Sequence, residues 1–248
     1  GEITMAKVIM ITGGSRGIGA ATAKLAAARG YDVCFNYKSN AAQAEAIVKD
    51  IRATGRKALA VQADTSVDQD VVRLFEACDR ELGPVDALLN NAGITGGVAL
   101  IDEVKVDMLR ELMEVNVIGY FLCAREAVKR MSTARGGKGG AIVNVSSRAS
   151  ELGGGNEWIH YAASRGAVDS MTKGMSVELG KKGIRVNAVQ PGIIDTDIQA
   201  TGLPNRMEKA LPNIPMGRAG TAEEVAESIL WLLSDQASYV TGAIVNVS

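Results

Sequence analysis

Short apolar, β-branched runs alternate with alanine-rich amphipathic segments along the whole 248-residue chain, and this alternation restricts the fold more than any other feature. Seven runs have strand character: residues 7–12, 32–37, 57–62, 85–90, 141–146, 185–189 and 243–247. The segments between them, 17–29, 41–54, 68–82, 106–131, 159–181 and 222–233, repeat apolar residues at helical spacing. A helix after a strand carries the chain back to that strand's starting edge, so successive strands pair in parallel and both sheet faces are covered. The expectation is an α/β fold, a doubly wound (Rossmann) seven-stranded parallel sheet in a single domain over residues 5–248. At 47% hydrophobic residues the chain has enough apolar surface to bury two such faces.

Glycines mark the helix ends: Gly30, Gly55, Gly83 before Pro84, and Gly183 after Lys181 and Lys182. Thr221 is a candidate N-cap, with Glu224 as its capping-box partner. The stretch 195–215 carries Gly, Pro and Asn and is too long for a passive connector, so it reads as a loop or lid.

A net charge of −1 offers no global field for nucleic acid or an anionic membrane, so neither is an expected partner and phosphate recognition must be local. No apolar run reaches the roughly 18 residues that span a bilayer. The expected setting is cytoplasmic, and Gly1 to Thr4 read as a remnant ahead of a native start at Met5. Cys34, Cys78 and Cys123 are odd in number and widely spaced, which suits small core residues in a reducing compartment. His160 is the single histidine, and no metal site is expected.

Gly13-x3-Gly17-x-Gly19 follows the first apolar run and opens the first helical segment. Glycine there lets backbone N–H groups approach a pyrophosphate at the positive end of a helix dipole, which points to a dinucleotide. The spacing departs from Gly-x-Gly-x-x-Gly. With Thr12, Asn90-Asn91-Ala92-Gly93, Asn116, Ser147, Tyr161 and Pro191-Gly192 in that order, the chain resembles the short-chain dehydrogenase/reductase family over almost its whole length.

The resemblance implies a coenzyme cleft bounded by Thr12, Gly13, Ser15, Arg16, Gly17, Ile18 and Gly19, by Tyr37 and Lys38, and by Asp64. Further along the chain it implies Asn91, Ala92, Gly93, Tyr161, Arg165, Pro191, Gly192, Ile194 and Thr196. It sets Asp64 beside the adenine; the alternative is a cap for the helix that starts near residue 68. An acidic residue ending the second strand would pair with the ribose hydroxyls of NAD. This chain has Tyr37-Lys38 instead. Lys38 and Arg16 supply positive charge for a 2′-phosphate with no carboxylate at that point, so NADP(H) is the expected coenzyme.

Family resemblance also implies hydride exchange between a nicotinamide and a carbonyl or secondary alcohol, with Ser147 bonding the substrate oxygen, Tyr161 delivering its proton and Asn116 serving a proton relay. Read as residues alone, Asn116 is a polar amide in an apolar helical stretch that kinks it through a local bond or is simply buried. Ser147 is preferred to Ser146 because it begins the loop at the strand's carboxyl end. A phenol needs a nearby cation to ionise near neutral pH, and a residue four positions on shares its helix face. The family has lysine there; this chain has Arg165, whose planar, diffuse charge predicts impaired turnover. A second reading follows, a catalytically weak NADP-binding sensor or assembly partner. Relatives imply a homo-oligomer, dimer or tetramer, formed through the helices at 106–131 and 159–181.

Overall fold

Seven strands, β1 (Val8–Ile11), β2 (Asp32–Tyr37), β3 (Ala58–Gln62), β4 (Ala87–Asn90), β5 (Gly140–Val145), β6 (Ile184–Pro191) and β7 (Ile244–Val247), form one parallel sheet in the order β3-β2-β1-β4-β5-β6-β7. The computed structural model describes residues 5–248; the reading of residues 1–4 as a remnant lies outside the described residues. Strand order reverses between β1 and β4, which leaves a crevice beyond their carboxyl ends.

Nine helices complete the described residues: α1 (Gly17–Ala28), α2 (Ala41–Arg52), α3 (Asp68–Glu81), α4 (Val106–Met113), α5 (Gly119–Met131), α6 (Ala149–Leu152), α7 (Ile159–Leu179), α8 (Arg206–Ala210) and α9 (Ala222–Leu233). Alternation along each strand decides which helices it meets. In β1, Ile9 and Ile11 join a core with α1, α2 and α9, whereas Val8 and Met10 join a second core with α3 and α5 and the end of α7. These core side chains are buried on both sheet faces, which is why the strands read as continuous apolar runs.

Local signals match the ends of these elements. Gly30, Gly55, Gly83 and Gly183 all have positive φ, and Thr221 and Glu224 form the full capping box of α9. Two expectations are corrected. Residues 106–131 are not one regular helix: a π-turn at Glu114–Ile118 separates α4 from α5, because the Asn116 amide bonds the backbone of Ile94 rather than its own turn. The stretch 195–215 is not plain loop either, since it holds a 3-10 turn at Asp197–Thr201 and the short helix α8.

Candidate active site

The predicted residues of the glycine turn, Tyr37 and Lys38, Asp64, Asn91 to Gly93, Ser147 and Pro191 to Thr196 lie at or just past the carboxyl ends of strands, while Asn116 lies in the π-turn and Tyr161 and Arg165 on α7. The glycine turn joins β1 to α1, with φ of +68° at Gly13 and +55° at Gly17, and a methyl group on Gly19 would strike the Gly13 carbonyl. Arg16 is the N-cap of α1 yet its side chain caps nothing, and no acidic residue occupies the first turn. The leading N–H groups of α1, those of Gly17, Ile18 and Gly19, are therefore without a side-chain cap.

The turn is braced from three sides. Thr12 is 1% exposed, and its hydroxyl accepts from Asn91 N (2.9 Å) and Ala92 N (3.0 Å), so it ties the β1 and β4 ends together rather than facing the crevice. Asn91 Nδ2 returns a bond to Thr12 O at 3.1 Å. Asn36, absent from the expected set, accepts from Gly13 N at 2.8 Å and donates to Ala63 O at 2.9 Å. Its signal was a buried amide in the otherwise apolar β2 run. Ser15 lies half-buried in the turn, and Thr196 packs across Gly17 from the β6 side.

At the end of β2, Tyr37 is half-buried and Lys38 exposed. The expectation of no carboxylate there needs correction, because β3 leads directly into Asp64, whose Oδ2 lies 2.9 Å from Lys38 Nζ. Asp64 Oδ1 accepts from the Ser66 backbone and hydroxyl, a turn-forming role ahead of α3, while Val67 is that helix's N-cap. The hydrogen bond and charge of Asp64 push the Lys38 ammonium above its ordinary pKa. Burial pulls the Asp64 carboxyl upward, but bonds from Ser66 and Lys38 outweigh it and hold the group low.

Tyr161 and Arg165 sit one turn apart on α7, buried at 7% and 3% exposure. The Arg165 guanidinium lies over the Tyr161 ring with Cζ 5.1 Å from its centroid. Its Nη1 donates to Tyr120 Oη and to Val145 O, both at 2.9 Å. The well-formed bonds thus go to Tyr120 and Val145, while the Tyr161 hydroxyl lies within reach of the same guanidinium and shares its charge. Burial works to lower the guanidinium pKa; Tyr120 and Tyr161 more than offset it and leave it raised. Tyr120 was missed by sequence reasoning, since a tyrosine in an apolar helical stretch looks like core.

Asn116 is fully buried. Its Oδ1 accepts from Ile94 N at 2.9 Å and its Nδ2 donates to Ile94 O (2.8 Å) and Ser164 Oγ (3.1 Å), clamping the loop after β4 onto α7. Ser146 is 2% exposed with its hydroxyl on Arg165 O, whereas Ser147 is half-buried and accepts from Ala149 N at 3.1 Å. That bond leaves the Ser147 O–H free to donate.

Pro191, the last residue of β6, is buried, and Gly192 N just past it donates to Val247 O at 3.0 Å. Ile194 is 4% exposed and belongs to the core, which removes its side chain from the coenzyme-facing set. The 195–215 segment is closed over the site: Arg206 packs on Trp158 at 4.4 Å and bonds Glu157, and Trp158 meets Tyr161 with ring centroids 5.3 Å apart. His160 turns away, its Nε2 2.9 Å from Gly97 O.

These residues fit a dinucleotide on two counts besides the glycines. The α1 N-terminus has backbone donors with neither side-chain cap nor acidic neighbour, as a diphosphate requires. Arg165 Nε is buried with no partner among the described residues, a spare donor that an acceptor such as a sugar hydroxyl would satisfy. Fold and site together define an NAD(P)-dependent oxidoreductase built on a doubly wound sheet.

Comparison with known proteins agrees. Residues 13–248 match the family model described as Enoyl-(Acyl carrier protein) reductase. The chain is 49% identical over 242 residues to the uncharacterized oxidoreductase YgfF of Escherichia coli K12, covering 97% of this chain and 98% of that one. Among solved structures it superposes with a TM-score of 0.90 on a blue fluorescent protein from a metagenomic library in complex with NADPH, at 36% identity and 98% and 97% coverage. The same score relates it to the 3-ketoacyl-(acyl-carrier-protein) reductase of Brucella melitensis complexed with NADH, at 33% identity and the same coverage. The chain belongs to the short-chain dehydrogenase/reductase family.

Proposed function

We propose that this oxidoreductase prefers NADP(H) and interconverts a carbonyl compound with the corresponding secondary alcohol, using Tyr161 as its proton donor and acceptor. The observation that carries the reading is the placement of Arg165 across the face of Tyr161, where a fixed cation favours the phenolate. When bound, the nicotinamide supplies the hydride in reduction and accepts it in oxidation. Ser147 donates its free O–H to the carbonyl oxygen. In reduction that oxygen takes the Tyr161 proton, and Arg165 stabilises the phenolate left behind. Asn116 acts by holding the Ile94 loop against α7.

Lys38 and Arg16 support the NADP(H) preference, with Lys38 reaching the 2′-phosphate once it exchanges its Asp64 partner. Three buried free cysteines support a reducing, cytoplasmic setting, and no helix among the described residues is long and apolar enough to cross a membrane. Exposed Met113, Ile118 and Phe121 along the α4–α5 segment, with Val177 on α7, support a homo-oligomer through those helices. A second reading, a weak catalyst that serves as an NADP-binding sensor or assembly partner, is favoured by one observation: Arg165 spends both its good hydrogen bonds on Tyr120 and Val145.

Initial rates with NADPH and NADH against a panel of diketones, ketoacyl thioesters and sugars test the main reading. Turnover that is lost in Tyr161→Phe, with coenzyme binding retained, supports it. Coenzyme binding without turnover on any substrate supports the sensor.

A further inference from the structure

A guanidinium buried as deeply as that of Arg165 takes its position from the acceptors around it. It lies between two phenols, with Cζ 5.7 Å from the Tyr120 ring centroid and 5.1 Å from that of Tyr161. Its good hydrogen bonds favour one side. Nη1 donates to Tyr120 Oη and Val145 O, each at 2.9 Å, and Nε has no partner among the described residues. Tyr120 is itself fixed, at 1% exposure, with its own hydroxyl donating to Val145 O at 2.9 Å. The lone pairs of Tyr120 Oη are thus what it presents to the cation.

We propose that Tyr120 is a positioning residue which, by bonding Arg165 Nη1, divides the guanidinium between the two phenols, and so governs the charge support that Tyr161 receives in proton transfer. The inference rests on the reading of Tyr161 as the proton donor. Phenylalanine at position 120 keeps the ring and removes the acceptor. Arg165 then retains Val145 O alone, and the Tyr161 oxygen becomes its best remaining partner. The groups facing this cation leave few other outcomes. Helix α5 contributes Tyr120, with Cys123 beside it; α7 contributes Tyr161. Strand β5 supplies the Val145 carbonyl, and the loop after β4 supplies the Gly93 backbone. No carboxylate pairs with Arg165 among the described residues.

The test is an ultraviolet phenolate titration of the free protein, with the Tyr161 contribution isolated by subtracting a Tyr161→Phe counterpart in each background. Tyr120→Phe should lower the pH at which Tyr161 ionises by about one unit. In an Arg165→Lys background the same substitution should shift nothing, because ammonium lacks the fork that serves Tyr120 while lying under Tyr161. An unmoved or raised Tyr161 titration overturns the proposal, as does an equal shift in the lysine background. Should Tyr120→Phe fail to fold, Tyr120→Met, which likewise removes the acceptor, takes its place with the same expected and overturning results. Substrate is absent throughout, so the two readings fail separately. A shifted titration in a protein without carbonyl reduction retains the role of Tyr120 and removes that of Tyr161 as proton donor. Active enzyme with an unmoved titration does the reverse.

Discussion

Replacing Arg165 by lysine should make the enzyme faster and less stable, because the bonds that fix the guanidinium are not the ones that serve Tyr161. A charge spread over three nitrogens, one of them held at Tyr120 Oη and Val145 O, acts on the Tyr161 oxygen as if from on the order of 6 Å. At an effective dielectric constant of about 20, a unit charge there stabilises a phenolate by ~2.8 kcal/mol, against ~4.2 kcal/mol at about 4 Å, the reach of a compact ammonium. The difference of about 1.4 kcal/mol corresponds to about tenfold in a rate that follows phenolate stability. Against this, lysine forfeits the bonds to Tyr120 Oη and Val145 O. At ~1 kcal/mol each they amount to about 2 kcal/mol of folding stability. For a domain of this size that is roughly a 4–8 °C fall in Tm. The assay is kcat for carbonyl reduction at saturating NADPH, with a deuterated coenzyme to establish that hydride transfer limits the rate, alongside a thermal melt. A folded Arg165→Lys protein with kcat unchanged or lower refutes the reasoning.

Three further substitutions separate coenzyme choice from stability. Lys38→Ala should weaken NADPH binding about tenfold and leave NADH unaffected, a figure kept low because Lys38 is largely exposed; Asp64→Asn, which keeps the acceptor for Ser66, should strengthen NADPH binding, and calorimetry reads both. Glu126, paired with Arg125, Lys129 and Arg130, is pulled up by burial but held below the usual carboxylate range by hydrogen bonds from those cations. A carboxyl lowered on folding adds stability above its unfolded value of about 4.3 and loses it as pH falls through the folded value. Glu126→Gln should therefore cost about 2 kcal/mol at neutral pH and flatten the fall of Tm below about pH 4; parallel melting profiles across that range would contradict the assignment.

Sheet and helices were legible because continuous apolar runs buried on two faces leave little choice of partner, and because Gly30, Gly55, Gly83, Gly183 and Thr221 terminate elements through local geometry. What escaped were effects between distant positions. Asn116 breaks the 106–131 helix through Ile94, on a loop 22 residues earlier. Tyr120 meets Arg165 45 residues on, and Asn36 meets Gly13 across neighbouring strands. No periodicity encodes such pairs. The same holds for Asp64 beside Lys38, which changed the electrostatics expected at the end of β2. Helices α6 and α8, at four and five residues, are too short for an apolar repeat to announce them.

The distribution of these bonds divides the site into two mechanical parts. Thr12 joins Asn91 and Ala92, Asn36 joins Gly13, and Asn116 joins Ile94; none of these braces involves Arg165. The crevice that receives the coenzyme is thus held by one set of hydrogen bonds, and the pair that moves the proton by another. Thr12→Val keeps the shape of the side chain and leaves two backbone N–H groups, of Asn91 and Ala92, without their acceptor, at about 1–3 kcal/mol each. Part of that cost is relieved only in the misaligned turn, so coenzyme Kd should rise at least about tenfold while kcat at saturating coenzyme stays near its original value. Arg165→Lys, which keeps every brace of the glycine turn, should move kcat and change coenzyme Kd by less than Thr12→Val does. Calorimetry and steady-state rates on both variants decide the matter: a Thr12→Val protein that loses kcat but keeps its coenzyme affinity would mean that the brace acts on the reaction itself and that the two parts are one.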